Sequence, residues 1–176
     1  MSNQCCNSGC DVSNSRICPE GQQYVTKMME QPDRIAVIAC EGACIKGEVA
    51  RVAANLLAYQ MHRQDAIRIC LGDAATGNSG FLDLVRRAPQ VISIEGCSLQ
   101  CGTEILKKRI GDLKSTVIVA SELYEYNKER FFEIYDLPRE TIDQYARTVA
   151  DQVSKNFFGS PTGNTAKGCE CCSGCC

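Results

Sequence analysis

The chain has 176 residues, which is enough for one domain with a substantial core and too few for two ordinary domains. Its 19 basic and 21 acidic residues give a formal net charge of −2, which favours neither nucleic acid nor an anionic membrane surface as a partner. It has no apolar run near the roughly 20 residues that span a bilayer and no signal-peptide pattern, so we expect a cytoplasmic protein that binds no membrane.

The composition along the chain predicts one folded unit between two flexible segments. Residues 1–20 are rich in Ser, Asn and Gly and form the predicted N-terminal arm, which carries Cys5, Cys6, Cys10 and Cys18. Residues 21–158 form the predicted α/β domain, and residues 159–176 form a predicted C-terminal tail of the same character as the arm.

Within the folded unit, β-branched runs alternate four times with helical patterns, and the last helix is predicted to begin at Pro138. Such alternation predicts an α/β three-layer sandwich whose mostly parallel sheet has at least four strands, Rossmann-like or flavodoxin-like. The predicted strands are RIAVIAC, AIRICLG, VISIEG and STVIVAS, and the predicted helices are KGEVARVAANLLAYQMHR, GFLDLVRRA, CGTEILKKRI and ETIDQYARTVADQVSKNFF.

Three features of this unit have ordinary structural interpretations. Cys70 lies in the second predicted strand among Ile67, Ile69 and Leu71, so we expect it in the core. The glycine-rich stretch that follows, residues 72–80, is predicted to be a flexible crossover loop. His62, the only histidine, ends the first long helix and is predicted to be a surface residue.

Two pairs of cysteines follow the first and third predicted strands in a similar way. Cys40 and Cys44 lie in IACEGACIKGE, and Cys97 and Cys101 lie in SIEGCSLQCGTE, each pair beside a Glu-Gly dipeptide. Ligands of an open parallel sheet bind beyond the carboxyl ends of the strands, where the strand order reverses. If the strand order is 2-1-3-4, the four thiols converge on one crevice.

Converging thiols favour a metal or metalloid ion. Cytoplasmic thiols stay reduced, so the 14 cysteines indicate metal ligands or reactive thiols rather than disulfides. Four thiolates suit tetrahedral zinc, and they also suit Cu(I) or an iron–sulfur cluster. The alternative is that the cysteines simply occupy tight turns.

Glu41 and Glu95 lie next to the two cysteine pairs. We expect these glutamates to position the turns or to balance the charge of Lys46 rather than to act as a general acid and base.

The stretches VISIEGCSLQCGTEIL and IACEGACIKGEVARVAANLL resemble the DGC-domain family, small proteins described as zinc-binding and named for an Asp-Gly-Cys motif. The resemblance covers roughly Ile35 to Phe158. It implies that Cys40, Cys44, Cys97 and Cys101 bind zinc, and it carries no established reaction. The Asp of the motif is replaced by Glu95, which moves the carboxylate outward by one methylene.

We therefore expect a metal- or metalloid-binding protein rather than an enzyme. Its ligand would be zinc or a soft ion such as As(III) or Cu(I), and its partner a protein that receives the ion, as for a metallochaperone. Arsenic metallochaperones and arsenic methylating enzymes are similar in carrying Cys-Cys pairs on their tails. The cysteines that would capture or transfer the ion are Cys5, Cys6, Cys10, Cys169, Cys171, Cys172, Cys175 and Cys176.

Two other functions fit the same residues. One is a thiol enzyme for redox or sulfur transfer, with Cys40 or Cys97 as nucleophile and a tail cysteine to resolve the intermediate. The other is an adaptor in which zinc is purely structural.

Overall fold

The structure is a computed structural model that describes residues 17–31, 33–126 and 130–159. A four-stranded, fully parallel sheet forms its centre, with the strand order β2-β1-β3-β4. This order confirms the predicted α/β class, and it is the order for which the first and third strands were expected to be neighbours. The strands are β1 (Ile35–Ala39), β2 (Ala66–Arg68), β3 (Val91–Glu95) and β4 (Thr116–Val119).

The two central strands end at the same level, because their register aligns Ala36 with Val91 and Ala39 with Ile94. The N–H of Cys40 then donates to the carbonyl oxygen of Ile94 at 2.9 Å, so pairing continues one residue past β1. Every residue of β3 is buried, as expected for a parallel strand covered by helices on both faces. The turns after β1 and β3 therefore leave the sheet side by side.

Six α-helices cover the two faces of the sheet in the described part of the chain. One apolar cluster joins one face to α2 and α6, and a second cluster joins the other face to the remaining helices. The last helix begins one residue after the predicted start, with Pro138 as its N-cap. The helices are α1 (Pro19–Met29), α2 (Ile45–Leu56), α3 (Leu71–Thr76), α4 (Phe81–Arg87), α5 (Cys101–Ile110) and α6 (Arg139–Phe157).

Two segments predicted to be flexible contain helix. The first, α1, begins inside the stretch predicted as an arm, and the Sγ of Cys18 accepts a hydrogen bond from the Gly21 N–H at 3.3 Å. The N–H of Cys18 also donates to Ser79 Oγ at 2.9 Å, which ties the start of α1 to the loop before α4. The second, α3, occupies half of the stretch predicted as a crossover loop. Both helices pack on the second apolar cluster, which local composition does not reveal.

The prediction that His62 lies on the surface was wrong. A π-helical turn, Leu57–Met61, extends α2 to His62, whose ring is 6% exposed and stacks on Phe158 at 4.1 Å. The Nε2 atom lies 2.8 Å from Ser154 Oγ. Burial lowers the pKa of His62, and the nearby Asp65 only partly opposes this effect. The end of α6 covers this position.

The helix α6 runs alongside α2 in the same direction. At its start, Arg139 Nη1 donates to Glu48 Oε1 at 2.8 Å, in the first turn of α2, and near its end Ser154 meets His62. The chain thus reaches Gly159 at the amino edge of the sheet, opposite the turns that follow the strands. None of the helices in the described ranges is long and apolar enough to cross a bilayer.

Candidate functional site

The four cysteines of the two CxxxC pairs lie at the carboxyl edge of adjacent strands. Cys40 follows β1 directly, and Cys44 is the N-cap residue of α2. Cys97 lies two residues beyond the end of β3, and Cys101 is the first residue of α5. Between β1 and β3 the strand order reverses, which is where open parallel sheets bind their ligands.

The sulfurs of Cys40 and Cys44 flank a single position above Gly42. The Sγ of Cys40 accepts the N–H of Gly42 at 3.4 Å, and the Sγ of Cys44 accepts the N–H of Gly47 at 3.4 Å. A Cβ placed on Gly42 would lie 3.2 Å from the first sulfur and 4.0 Å from the second. Glycine therefore leaves a small open position between two sulfurs that are held by backbone N–H groups.

Cys40 is the most enclosed thiol of this pair, with 6% of its surface exposed. Burial raises its pKa, although hydrogen bonds from the Gly96 and Gly42 N–H groups act in the opposite direction. The charges of Glu95 and Cys44 add to the increase. Cys40 is therefore protonated at neutral pH, and it would lose its proton on binding an ion.

The turn after β3 packs directly on the turn after β1. A Cβ on Gly96 would lie 2.8 Å from the Gly47 nitrogen and 2.8 Å from the Lys46 carbonyl carbon. A Cβ on Gly47 would lie 2.4 Å from the Gly42 carbonyl oxygen. All three distances are too short for a real Cβ atom, so only glycine permits these contacts. The backbones of the two CxxxC turns therefore touch.

Glu95 has the turn-positioning role that we predicted for it. Its carboxylate is fully buried and accepts the Thr103 N–H at 2.6 Å, the Thr103 hydroxyl at 2.7 Å and the Gly102 N–H at 3.2 Å. Two of these donors are backbone groups of the first turn of α5, which have no partner within the helix. Glu95 thus caps the helix that begins with Cys101.

Glu41 balances Arg68 rather than Lys46. Arg68 is 6% exposed, and its guanidinium donates to Glu41 Oε1 and, through Nε, to Asn55 Oδ1 at 3.1 Å.

The prediction that Cys70 lies in the core was wrong. The strand β2 ends at Arg68, and Cys70 is the exposed N-cap residue of α3. Cys70 lines a separate cavity of about 280 Å³ beside Arg68.

Tyr124 and Tyr126 pack on the apolar cluster that contains Cys40, and their hydroxyl groups are buried without a hydrogen-bond partner. Their rings meet edge to face at 6.3 Å, Tyr124 stacks on Tyr145 at 4.5 Å, and Lys46 Nζ lies 5.0 Å from the centre of the Tyr126 ring. Burial raises the pKa of both hydroxyls, and the negative charge of a Cys44 thiolate raises it further. The sequence indicated only a packing role for the aromatic residues of this segment, since only the structure shows that the two hydroxyls lack partners.

The side chains at this edge of the sheet supply part of a binding site for a thiophilic ion. Two sulfurs flank one open position, and two orphaned hydroxyls belong to tyrosines that pack on the same apolar cluster as Cys40. Cys97 is half-buried and Cys101 is exposed. Over the described ranges, no three His, Cys, Asp or Glu side chains are placed to hold a metal ion together. The predicted ligands that lie outside the described residues are Cys5, Cys6, Cys10, Cys169, Cys171, Cys172, Cys175 and Cys176.

The chain was compared with known families, curated proteins and solved structures. A family model described as the DGC domain matches residues 36–153, about two thirds of the chain. This span contains both CxxxC pairs, the capping Glu95 and the two orphaned tyrosine hydroxyls. No curated protein and no solved structure shows a significant match.

Proposed function

The chain belongs to the DGC-domain family, and we propose that it binds a thiophilic metal or metalloid ion at the carboxyl edge of its sheet. The observation that carries this proposal is that the sulfurs of Cys40 and Cys44 flank one open position above Gly42. Thiolates are the preferred ligands of zinc, Cu(I) and other soft ions. Cys40 and Cys44 would bind first, because both sulfurs already flank this position.

Cys97 and Cys101 would complete the site for an ion that takes four ligands, such as zinc. The contact of Gly96 with Lys46 and Gly47 supports this role, since it holds the second turn against the first. Cys101 is exposed at the start of α5, so its side chain has room to rotate towards the crevice. Such a rearrangement on binding is part of the proposal.

We further propose that the ion is cargo rather than a structural element. Apolar clusters on both faces of the sheet already supply a core, so the domain should fold without the ion. The eight cysteines outside the described residues include adjacent pairs such as Cys171 and Cys172, which suit soft ions with readily exchanged thiolate bonds. They would capture the ion or pass it to a receiving protein.

A thiol–disulfide or sulfur-transfer activity is the second candidate, favoured by the position of Cys44 at a helix N-cap. The proposed nucleophile Cys40 is less suited to this role, because burial raises its pKa and keeps it protonated. Protein purified without chelators would then contain no bound ion and would form a reversible Cys40–Cys44 disulfide.

Peptide-resolved alkylation tests the binding proposal on the full chain. Cleavage after arginine and lysine places Cys40 and Cys44 alone on peptide 35–46, and Cys97 and Cys101 alone on peptide 88–107. We expect zinc, cadmium or arsenite to protect peptide 35–46 from N-ethylmaleimide, and we expect an ion with four ligands to protect both peptides together.

Two variants with matched controls sharpen this test. Replacing Gly42 with alanine keeps all thiols but places a methyl group 3.2 Å from the Cys40 sulfur, so protection of peptide 35–46 should weaken. Gly72→Ala is the control, because a Cβ there has nothing within 4 Å. Replacing Cys40 and Cys44 together with serine should abolish protection of peptide 88–107 by zinc, whereas Cys70→Ser should not. Unchanged protection in the Cys40 and Cys44 variant would contradict a shared site.

A further inference from the structure

The orphaned hydroxyls of Tyr124 and Tyr126 have no role in a site made of thiolates alone. Both are buried and lack a partner, which costs free energy unless an acceptor is supplied. They belong to the short segment after β4, both rings pack on the apolar cluster that contains Cys40 and Ile45, and Lys46 Nζ lies 5.0 Å from the centre of the Tyr126 ring. Four kinds of group thus meet here: a thiol, two hydroxyl donors, an ammonium group and the N-terminus of α2.

The side chains of this cluster favour a ligand that offers both a thiophilic atom and an oxygen atom. The sulfurs of Cys40 and Cys44 select a thiophilic centre. The hydroxyl donors and the ammonium group of Lys46 select an oxygen atom that accepts hydrogen bonds. A bare ion held only by thiolates offers no such oxygen, whereas a trivalent metalloid oxyacid offers one after two of its three oxygens have been replaced.

We propose that the site takes a trivalent metalloid oxyacid, with Cys40 and Cys44 as its sulfur ligands and the hydroxyls of Tyr124 and Tyr126 as donors to its remaining oxygen. Two metalloid–oxygen bonds break and two metalloid–sulfur bonds form. Each departing hydroxyl takes one thiol proton and leaves as water, so no oxidation state changes. The inference rests on the proposed thiol site and adds the class of ligand.

Two arsenic compounds separate the contribution of the oxygen from that of the sulfurs. Arsenous acid keeps one hydroxyl after binding two thiols, whereas methylarsonous acid keeps only its methyl group. The concentration of each compound that halves alkylation of peptide 35–46 would be measured on the full chain and on the variants Tyr124→Phe and Tyr126→Phe. Tyr135→Phe is the matched control, because Tyr135 is fully exposed.

We expect each of the two variants to raise the half-protection concentration of arsenous acid by about 2- to 12-fold, the value of one lost hydrogen bond. The same variants should leave the value for methylarsonous acid unchanged, and Tyr135→Phe should change neither. Because a buried hydroxyl without a partner destabilises the free protein, both variants should be at least as thermally stable as the parent chain.

Equal effects on the two compounds, or no effect on arsenous acid, would overturn the role of the hydroxyls while leaving the thiol site intact. If neither compound protects the peptide but cadmium does, the metalloid inference fails and the proposed metal site survives. If no thiophilic species protects the peptide, the proposed function itself is wrong.

Discussion

The buried carboxylate of Glu95 gives a prediction that tests how the site is held in place. Replacing Glu95 with alanine removes the acceptor for three hydrogen bonds, from Gly102 N–H, Thr103 N–H and the Thr103 hydroxyl. All three donors lie in the first turn of α5, and Glu95 itself is fully buried. Water therefore cannot easily reach these donors to replace the lost acceptor.

The expected loss in the free energy of unfolding is several kilocalories per mole. Removing one partner of a buried, charge-assisted hydrogen-bond network costs about 3–5 kcal/mol. For a chain of this size, each kcal/mol lowers the melting temperature by roughly 2–4 °C, so Glu95→Ala should melt about 6–20 °C lower. Glu95→Gln keeps the oxygen that accepts both Thr103 bonds and should lose only about 1–2 kcal/mol.

Thermal unfolding followed by circular dichroism measures the effect in the full chain. The matched control is Glu104→Ala, since Glu104 lies on the same helix but is exposed and pairs only with Lys107. The control should stay within about 0.5 kcal/mol of the parent. If Glu95→Ala and Glu104→Ala melt at the same temperature, the capping role assigned to Glu95 is refuted.

Three further predictions concern the same region and the opposite end of α2. Gly47→Ala should destabilise the protein by more than about 2 kcal/mol in urea titrations, because its Cβ would lie 2.4 Å from a carbonyl oxygen, whereas Gly72→Ala should be neutral or slightly stabilising. Since burial raises the pKa of Cys40, its alkylation should require a higher pH in the folded chain than in the chain unfolded by urea, and equal pH profiles would contradict this. Because burial lowers the pKa of His62, only the unfolded chain binds its proton as the pH falls below about 6.5, so stability should decline there. His62→Gln should flatten that decline, and an unchanged slope would count against it.

The parts of the fold that were predictable depend on local patterns that recur along the chain. Alternation of apolar strands with helical stripes is sufficient for a parallel sheet, since parallel neighbours require crossover connections. The positions of Cys40 and Cys97 followed from the same argument, because Cys40 directly follows the first strand and Cys97 lies two residues beyond the third. The strand order then placed both turns at one edge of the sheet.

The residues that were mispredicted depend on contacts between distant segments. Cys70 follows an apolar run, but the strand ends early because the Arg68 side chain binds the Ile69 carbonyl oxygen and Glu41, and the chain then turns into α3. His62 is buried by the end of α6, which lies more than 90 positions away in sequence. The lack of partners for the Tyr124 hydroxyl is likewise a property of packing, so no sequence pattern signals it.

The direction of α6 limits how the C-terminal cysteines can meet the crevice. Its 19 residues, at about 1.5 Å each, carry the chain roughly 28 Å away from the turns that hold Cys40 and Cys44. The ten Cα–Cα steps from Gly159 to Cys169 span at most about 33–36 Å, and the seventeen steps to Cys176 span at most about 56–61 Å. A return to the crevice within one molecule would therefore use nearly the whole length for Cys169 but only about half of it for Cys176. Within one molecule, Cys175 and Cys176 can therefore reach the crevice with more chain to spare than Cys169 can.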